Sequence, residues 1–155
     1  MAVSDNGNIL AVGESLDDNA GKNAGQTRIF EWNGSAWVQK GATISGDEAG
    51  DGLGASVALS ADGNTLAIGA FETENDDGTE TASARVFDWN GTAWIKRGAD
   101  IDAETVGEES TTVRLSADGN TLAVGGLRND ASARNSGNGR GFDWDGNAWV
   151  KRGLD

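Results

Sequence analysis

The chain has no cysteine, no histidine, no tyrosine and no proline. Absence of cysteine removes disulfides and thiolate chemistry, and says little about compartment because large repeat folds do not need covalent staples. With histidine missing as well, nucleophilic triads, zinc hydrolases and redox dithiols are excluded. No apolar run approaches about 18 residues, so membrane insertion is not expected. Basic residues are scarce, 12 against 25 acidic ones, for a net charge of −13. Phosphate contacts need clustered Lys and Arg, so nucleic acid is not an expected partner.

What the chain has is repetition. SDNGNILAVG at 4–13, SADGNTLAIG at 60–69 and SADGNTLAVG at 116–125 follow one another at a 56-residue period. A fixed period of that length marks a repeat architecture, whose units cannot bury their apolar faces alone and must stack on their neighbours. A second motif keeps step: RIFEWNGSAWVQKG at 28–41, RVFDWNGTAWIKRG at 85–98 and RGFDWDGNAWVKRG at 140–153. Each repeat reads as four short apolar runs divided by turn dipeptides, in the middle copy about 55–60, 65–69, 84–89 and 92–97. Such runs, bounded by Asp-Gly or Asn-Gly, predict antiparallel strands joined by tight hairpins. No stretch holds helical spacing over ten or more positions, which argues against a helical solenoid. The units are blade 1 at about 1–41, blade 2 at about 54–98 and blade 3 at about 110–153 of one repeat domain. Gly7, Gly63 and Gly119, and likewise Gly34, Gly91 and Gly146, follow Asn or Asp at turns where positive φ is expected.

A two-residue turn at Asn90-Gly91 would put Phe87 opposite Trp94 and Val86 opposite Ile95, one face aromatic and the other aliphatic. A small sheet that is apolar on both sides is what radial stacking demands. The expected fold is therefore an all-β propeller of four-stranded antiparallel blades. The Trp pairs 32/37, 89/94 and 144/149 read as packing between blades, with a ligand-stacking platform as the functional alternative.

The run GLGASVALSADGNTLAIGA at 52–70 resembles the repeat of integrin-alpha-type propellers, called FG-GAP, with Leu53-Gly54 near its first signature and Gly69-Ala70 near its second. The resemblance extends over all three repeats. It implies a propeller fold, but not the calcium loop of that family. Calcium takes about six to eight oxygens, and the turn between the first two strands is here only Ser60-Ala61-Asp62-Gly63-Asn64.

Aligning the repeats sets Met1-Ala2-Val3 on Val57-Ala58-Leu59, so the chain holds three blades. Propellers close with about four to eight blades, and an open stack would leave a bare apolar face at each end. The expectation is a homodimer, two copies making a six-bladed ring, or else a fragment of a longer propeller.

The charge is unevenly placed. The segments 14–27, 42–55, 70–84, 99–110 and 126–139, which would open on one side of the disc, hold 17 of the 25 acidic residues and three of the 12 basic ones. They read either as loops whose acidity keeps the stack soluble or as an oxygen-rich cation face. Glu72, Glu74, Asp76, Asp77 and Glu80 lie in one loop, and Asp47, Glu48 and Asp51 of the preceding connector could approach it. Among these, Glu74, Asp76, Asp77 and Glu80 are the candidate metal ligands, with calcium the cation that hard oxygens select. Lys40, Lys96-Arg97 and Lys151-Arg152 recur at the ends of the fourth runs and read as charges that solvate outer edge strands.

Three classes of function are compatible with these residues. Long loops on a rigid scaffold suit a non-enzymatic binding or adhesion module for a protein or glycan, including a calcium-dependent lectin-like one. A self-assembling structural part or an engineered half-propeller suits the regular repeats. A carboxylate-pair glycosidase is formally open, yet nothing singles out such a pair, and the expectation is no enzyme. The composition fits an extracellular or cell-surface module.

Overall fold

In the computed structural model, residues 1–71, 82–103, 110–127 and 138–153 are described, and every regular element among them is a β-strand. The strands form three antiparallel sheets in chain order. Sheet 1 comprises β1 (Ala2–Val3), β2 (Ile9–Glu14), β3 (Gln26–Trp32), β4 (Trp37–Gln39) and β5 (Ile44–Ser45). Sheet 2 comprises β6 (Ser56–Leu59), β7 (Thr65–Ala70), β8 (Ser83–Trp89), β9 (Trp94–Lys96) and β10 (Ile101–Asp102). Sheet 3 comprises β11 (Ser110–Leu115), β12 (Thr121–Leu127), β13 (Asn138–Trp144) and β14 (Trp149–Arg152). No helix among the described residues is long and apolar enough to cross a membrane.

The first hairpin of each sheet is set by local chemistry. In sheet 2 the Ser60 hydroxyl donates to Asp62 Oδ1 at 2.6 Å, Asp62 Oδ1 accepts the Asn64 N–H at 3.0 Å, and Ser60 Oγ accepts the Thr65 N–H at 2.9 Å. Ser116, Asp118, Asn120 and Thr121 repeat the network in sheet 3, and Ser4, Asn6, Asn8 and Ile9 repeat it in sheet 1. Such side-chain acceptors replace backbone partners that a tight turn cannot supply. All six turn glycines expected at positive φ are found there.

The second hairpin differs from expectation. Trp89 pairs with Trp94 and Phe87 with Lys96, a slip of two residues from the register that a two-residue turn would impose. The loop is four residues long, closed by Asn90 N–H to the Ala93 carbonyl at 3.1 Å and by Asn90 Oδ1, which accepts from the Thr92 and Ala93 N–H groups. The side chain of Asn90 builds a wider turn than the dipeptide alone suggests. Because the slip is even, the aromatic side chains still share one face. The expected aliphatic face is only half covered, for Ile95 is 51% exposed.

A further feature concerns the fourth strand position. β4 pairs with the Phe30–Trp32 end of β3 and β5 with its Gln26–Thr27 end, and residues 40–43 between them face only Arg28 and Ile29. Sheet 2 shows the same interruption between β9 and β10. This bulge, with Gly41 and Gly98 at φ of 82° and 81°, bends the outer strand and re-aims Lys40 and Arg97 towards the next sheet.

Consecutive sheets stack face to face. Ile9, Ala11 and Ile29 of sheet 1 bury against Leu66 and Ile68 of sheet 2, with Leu53 and Val57 completing the cluster. On the opposite side of sheet 2, Ala58, Ala67, Ala84 and Val86 bury against Val113, Leu122, Val124 and Phe142 of sheet 3. Every residue of β7 is buried, the pattern of a strand covered on both faces. The contact is close enough that a Cβ on Gly13 would lie 2.1 Å from the Gly54 carbonyl oxygen, and one on Gly69 would lie 2.2 Å from that of Thr111. The hairpins are also tied together, Asp5 N–H to Ala61 O at 3.0 Å and Ala61 N–H to Ala117 O at 2.8 Å.

Candidate functional site

Two regions carry the polar and aromatic side chains that the core does not absorb. The first is the side where the β2–β3 loop of sheet 1 meets the connector to sheet 2. There Gly50, Gly52 and Leu53 donate backbone N–H groups to the carbonyls of Lys22, Asn23 and Ala24, at 2.9, 3.0 and 3.0 Å. Acidic side chains shape this side. Asp17 Oδ1 accepts from Asn19 N–H at 2.9 Å and Asp18 Oδ1 from Asn23 N–H at 2.7 Å. Glu14 receives Arg28 through two nitrogens, at 2.6 and 3.1 Å, and this guanidinium holds the Glu14 carboxyl below its ordinary range.

Arg85 organises the neighbouring connectors. Its side chain is 9% exposed and faces Asp47 at 3.0 Å, Asp51 at 3.6 Å and Asp100 at 3.4 Å, while Lys96 pairs with the same Asp100. The Asp51 carboxylate also accepts the Asp47 and Glu48 N–H groups. Asp51, its side chain 11% exposed, is thus drawn onto an arginine, and the expectation that this connector offers its oxygens to a cation is corrected for it, whereas Asp47 pairs with Arg85 and stays 77% exposed. A buried guanidinium needs carboxylates around it, and the connectors supply them from both sides of sheet 2. Glu72 and the candidate ligands Glu74, Asp76, Asp77 and Glu80 lie outside the described residues. Among the described residues no group of three or more Asp or Glu is arranged to hold a metal ion. Asp18, Asp47, Glu48 and Asp102 remain exposed on this side.

The second region is the set of tryptophan pairs, with ring centroids 5.4–5.6 Å apart and planes tilted by 53–58°. Two of the pairs each receive the end of the preceding sheet. The Trp94 indole N–H donates to the Lys40 carbonyl at 2.9 Å, and Lys40 Nζ lies 5.3 Å from the Trp89 ring centroid and 3.3 Å from Asn64 Oδ1. The Trp149 indole N–H donates to the Arg97 carbonyl at 3.0 Å, and the Arg97 guanidinium lies 4.8 Å from Trp144 and 5.3 Å from Trp149. Glycine follows each cation because the indole leaves no room for a side chain: a Cβ on Gly41 would stand 2.7 Å from Trp89 and one on Gly98 2.9 Å from Trp144.

These contacts correct the reading of Lys40 and Arg97 as solvated edge charges. Lys40 is 9% exposed, and the Arg97 side chain 11%. The signal was present in the sequence as a cation followed by glycine after each Trp-x-Gly-x-Ala-Trp run, but the indoles that receive it lie more than 45 residues further on. The first pair stands apart. Trp32 and Trp37 are 39% and 43% exposed, and Trp32 also lines an open concavity of about 380 Å³ with Glu31, Asn33, Val38 and Gln39.

Comparison with protein-family models, with curated proteins and with solved structures gives no match for the chain.

Proposed function

We propose that the chain is a three-bladed β-propeller unit of FG-GAP-like type. It acts without catalysis as a binding or adhesion module that presents an acidic loop face to a protein or glycan partner. The observation that carries this reading is the joining of acidic loops onto one side by backbone hydrogen bonds, from Gly50, Gly52 and Leu53 to the loop at 15–25. The core is built by stacked sheets and the turns by local hairpin chemistry, whereas this side carries exposed carboxylates on well-anchored backbone, the arrangement in which loops present recognition groups. A carboxylate face attracts cationic surfaces and repels phosphate. An extracellular or cell-surface setting suits such a role.

The test is retention of the chain on an immobilised basic protein and on immobilised glycans, each at low and high salt and with calcium or EDTA. Retention on the basic protein that falls with salt is the expected result. Glycan retention lost in EDTA would shift the reading to a calcium-dependent lectin-like module with Glu74, Asp76, Asp77 and Glu80 as the first ligands to substitute. No retention on either support would overturn the binding reading in favour of a structural part.

A further inference from the structure

We infer that the exposed Trp32/Trp37 pair is the receptor for the Arg152-Gly153 segment of a second copy of this chain, and that two copies, joined twice in this way, close into a ring of six sheets. Two junctions of this kind are already present inside one chain. Each uses the same parts: a cation and a glycine leaving the outer strand of one sheet, and a tilted tryptophan pair and a turn asparagine on the next. Lys40-Gly41 meets Trp89, Trp94 and Asn64. Arg97-Gly98 meets Trp144, Trp149 and Asn120, with Arg97 2.6 Å from Asn120 Oδ1.

The third set is divided between the two outer faces. On sheet 3, Arg152 leaves β14 with its side chain 63% exposed, held on one edge by Asp143 at 2.6 and 2.7 Å. Gly153 follows it at φ of 90°, with open space where Gly41 and Gly98 meet indoles. On sheet 1, Trp32 and Trp37 repeat the tilted geometry of the filled pairs, and Asn8 occupies the place of Asn64 and Asn120 in the turn motif. The Trp37 indole N–H, whose equivalents donate to Lys40 and Arg97 carbonyls, has no partner among the described residues.

The faces behind these parts match as well. Sheet 1 turns Leu10 and Val12 outward, at the positions where Leu66 and Ile68 bury against sheet 1 and Leu122 and Val124 against sheet 2. Sheet 3 turns outward the small residues Ala123 and Gly125, at the positions where Ala11 and Ala67 are buried and where Gly13 and Gly69 meet the backbone of Gly54 and Thr111. A Cβ on Gly125 would find nothing nearer than 3.9 Å. Large apolar residues on one outer face and small ones on the other form a heterologous contact. Such a contact closes only if the rotation between units returns to the start, and two three-sheet chains fall within the range of about four to eight blades that close.

The experiment is the solution mass of the 155-residue chain across a dilution series, with variants Trp32→Ala and Arg152→Glu. Wild type is expected at twice 16.0 kDa. Each ring carries the junction twice, so a roughly tenfold weakening at each one appears as about 100-fold in the dimer dissociation constant. Near-UV circular dichroism reports whether each variant keeps its fold, and Arg152→Lys, which retains the charge, is expected to fall between wild type and Arg152→Glu. Mixing the Trp32→Ala and Arg152→Glu chains restores one intact junction, so native mass spectrometry should show the mixed dimer in excess of either homodimer. A monomer at 50 µM, an assembly that grows with concentration beyond the dimer, or a dimer indifferent to both substitutions would overturn the inference. Mass and ligand retention are separate readouts, so the closure and the acidic-face reading can fail independently.

Discussion

The junction between sheets 1 and 2 and that between sheets 2 and 3 are the same motif built with different cations. Lys40 stands over one indole and reaches a single side-chain acceptor. Arg97 covers both rings of its pair and donates to Asp88 at 3.3 Å, to the Gly119 carbonyl at 3.2 Å and to Asn120 at 2.6 Å. A planar guanidinium stacks and donates at several edges at once, whereas an ammonium is a point charge that prefers water. One geometry therefore gives two strengths, and the Lys40 junction should be the weaker.

The largest expected effect tests whether close backbone approach underlies the stacking. Gly69→Ala should cost about 3 kcal/mol, because its Cβ would meet the Thr111 backbone rather than a side chain that can move aside. At the matching position of sheet 3, Gly125→Ala should change stability by less than about 1 kcal/mol in the same urea titration. Equal losses would mean that strand chemistry, not sheet contact, sets the preference for glycine.

The cations come next. Arg97→Ala should cost about 2–3 kcal/mol and Lys40→Ala about 1 kcal/mol, given the hydrogen bonds and ring contacts each removes. Double-mutant cycles of Arg97 with Trp144 and of Lys40 with Trp89 would show whether the difference lies in the cation and ring pair. If Lys40→Arg fails to strengthen its junction, side-chain identity is not what separates the two. A smaller and matched effect is expected of Trp94→Phe and Trp149→Phe, about 1 kcal/mol each, since both lose one indole hydrogen bond of nearly the same length. Unequal losses would place part of the difference in the backbone.

The smallest effect concerns acid. Hydrogen bonds from the Ser60 hydroxyl and the Asn64 N–H hold the Asp62 carboxyl below its ordinary range, and those from Ser116 and Asn120 do the same for Asp118. A carboxyl with a lowered folded-state pKa adds stability above its unfolded-state value and loses it as pH falls through the folded-state value. Ser60→Ala should therefore flatten the acid side of the stability curve below about pH 4 and leave its slope at neutral pH unchanged. Thermal melts from pH 2 to 7 would read this, and an unchanged acid limb would detach the turn from the effect.

How much was legible in the residues follows from how local each cause is. The Ser-Ala-Asp-Gly-Asn turns make their hydrogen bonds within five residues, so motif and structure coincide. The strands of the middle repeat were likewise visible as apolar runs. The register of the second hairpin was not, because Asn90 closes a four-residue loop through its side chain, and the dipeptide Asn-Gly does not reveal that choice. The division of the outer strand into β4 and β5 was also hidden, since the bulge makes sense only against the indole that Gly41 approaches. The acidic connectors were read as one charged surface. The structure sorts them, drawing Asp47, Asp51 and Asp100 onto Arg85 and leaving Glu48 outside.

By itself the sequence determined the repeat, the strand pattern, the positive-φ glycines and the uneven placement of charge, all of which follow from periodicity and short-range chemistry. Only the tertiary structure decided which cations are buried, which carboxylates are already paired and which tryptophan pair stays open. Those outcomes depend on side chains from neighbouring repeats meeting across about 35 to 55 residues of chain, and a sum of local preferences carries no information about which of them meet.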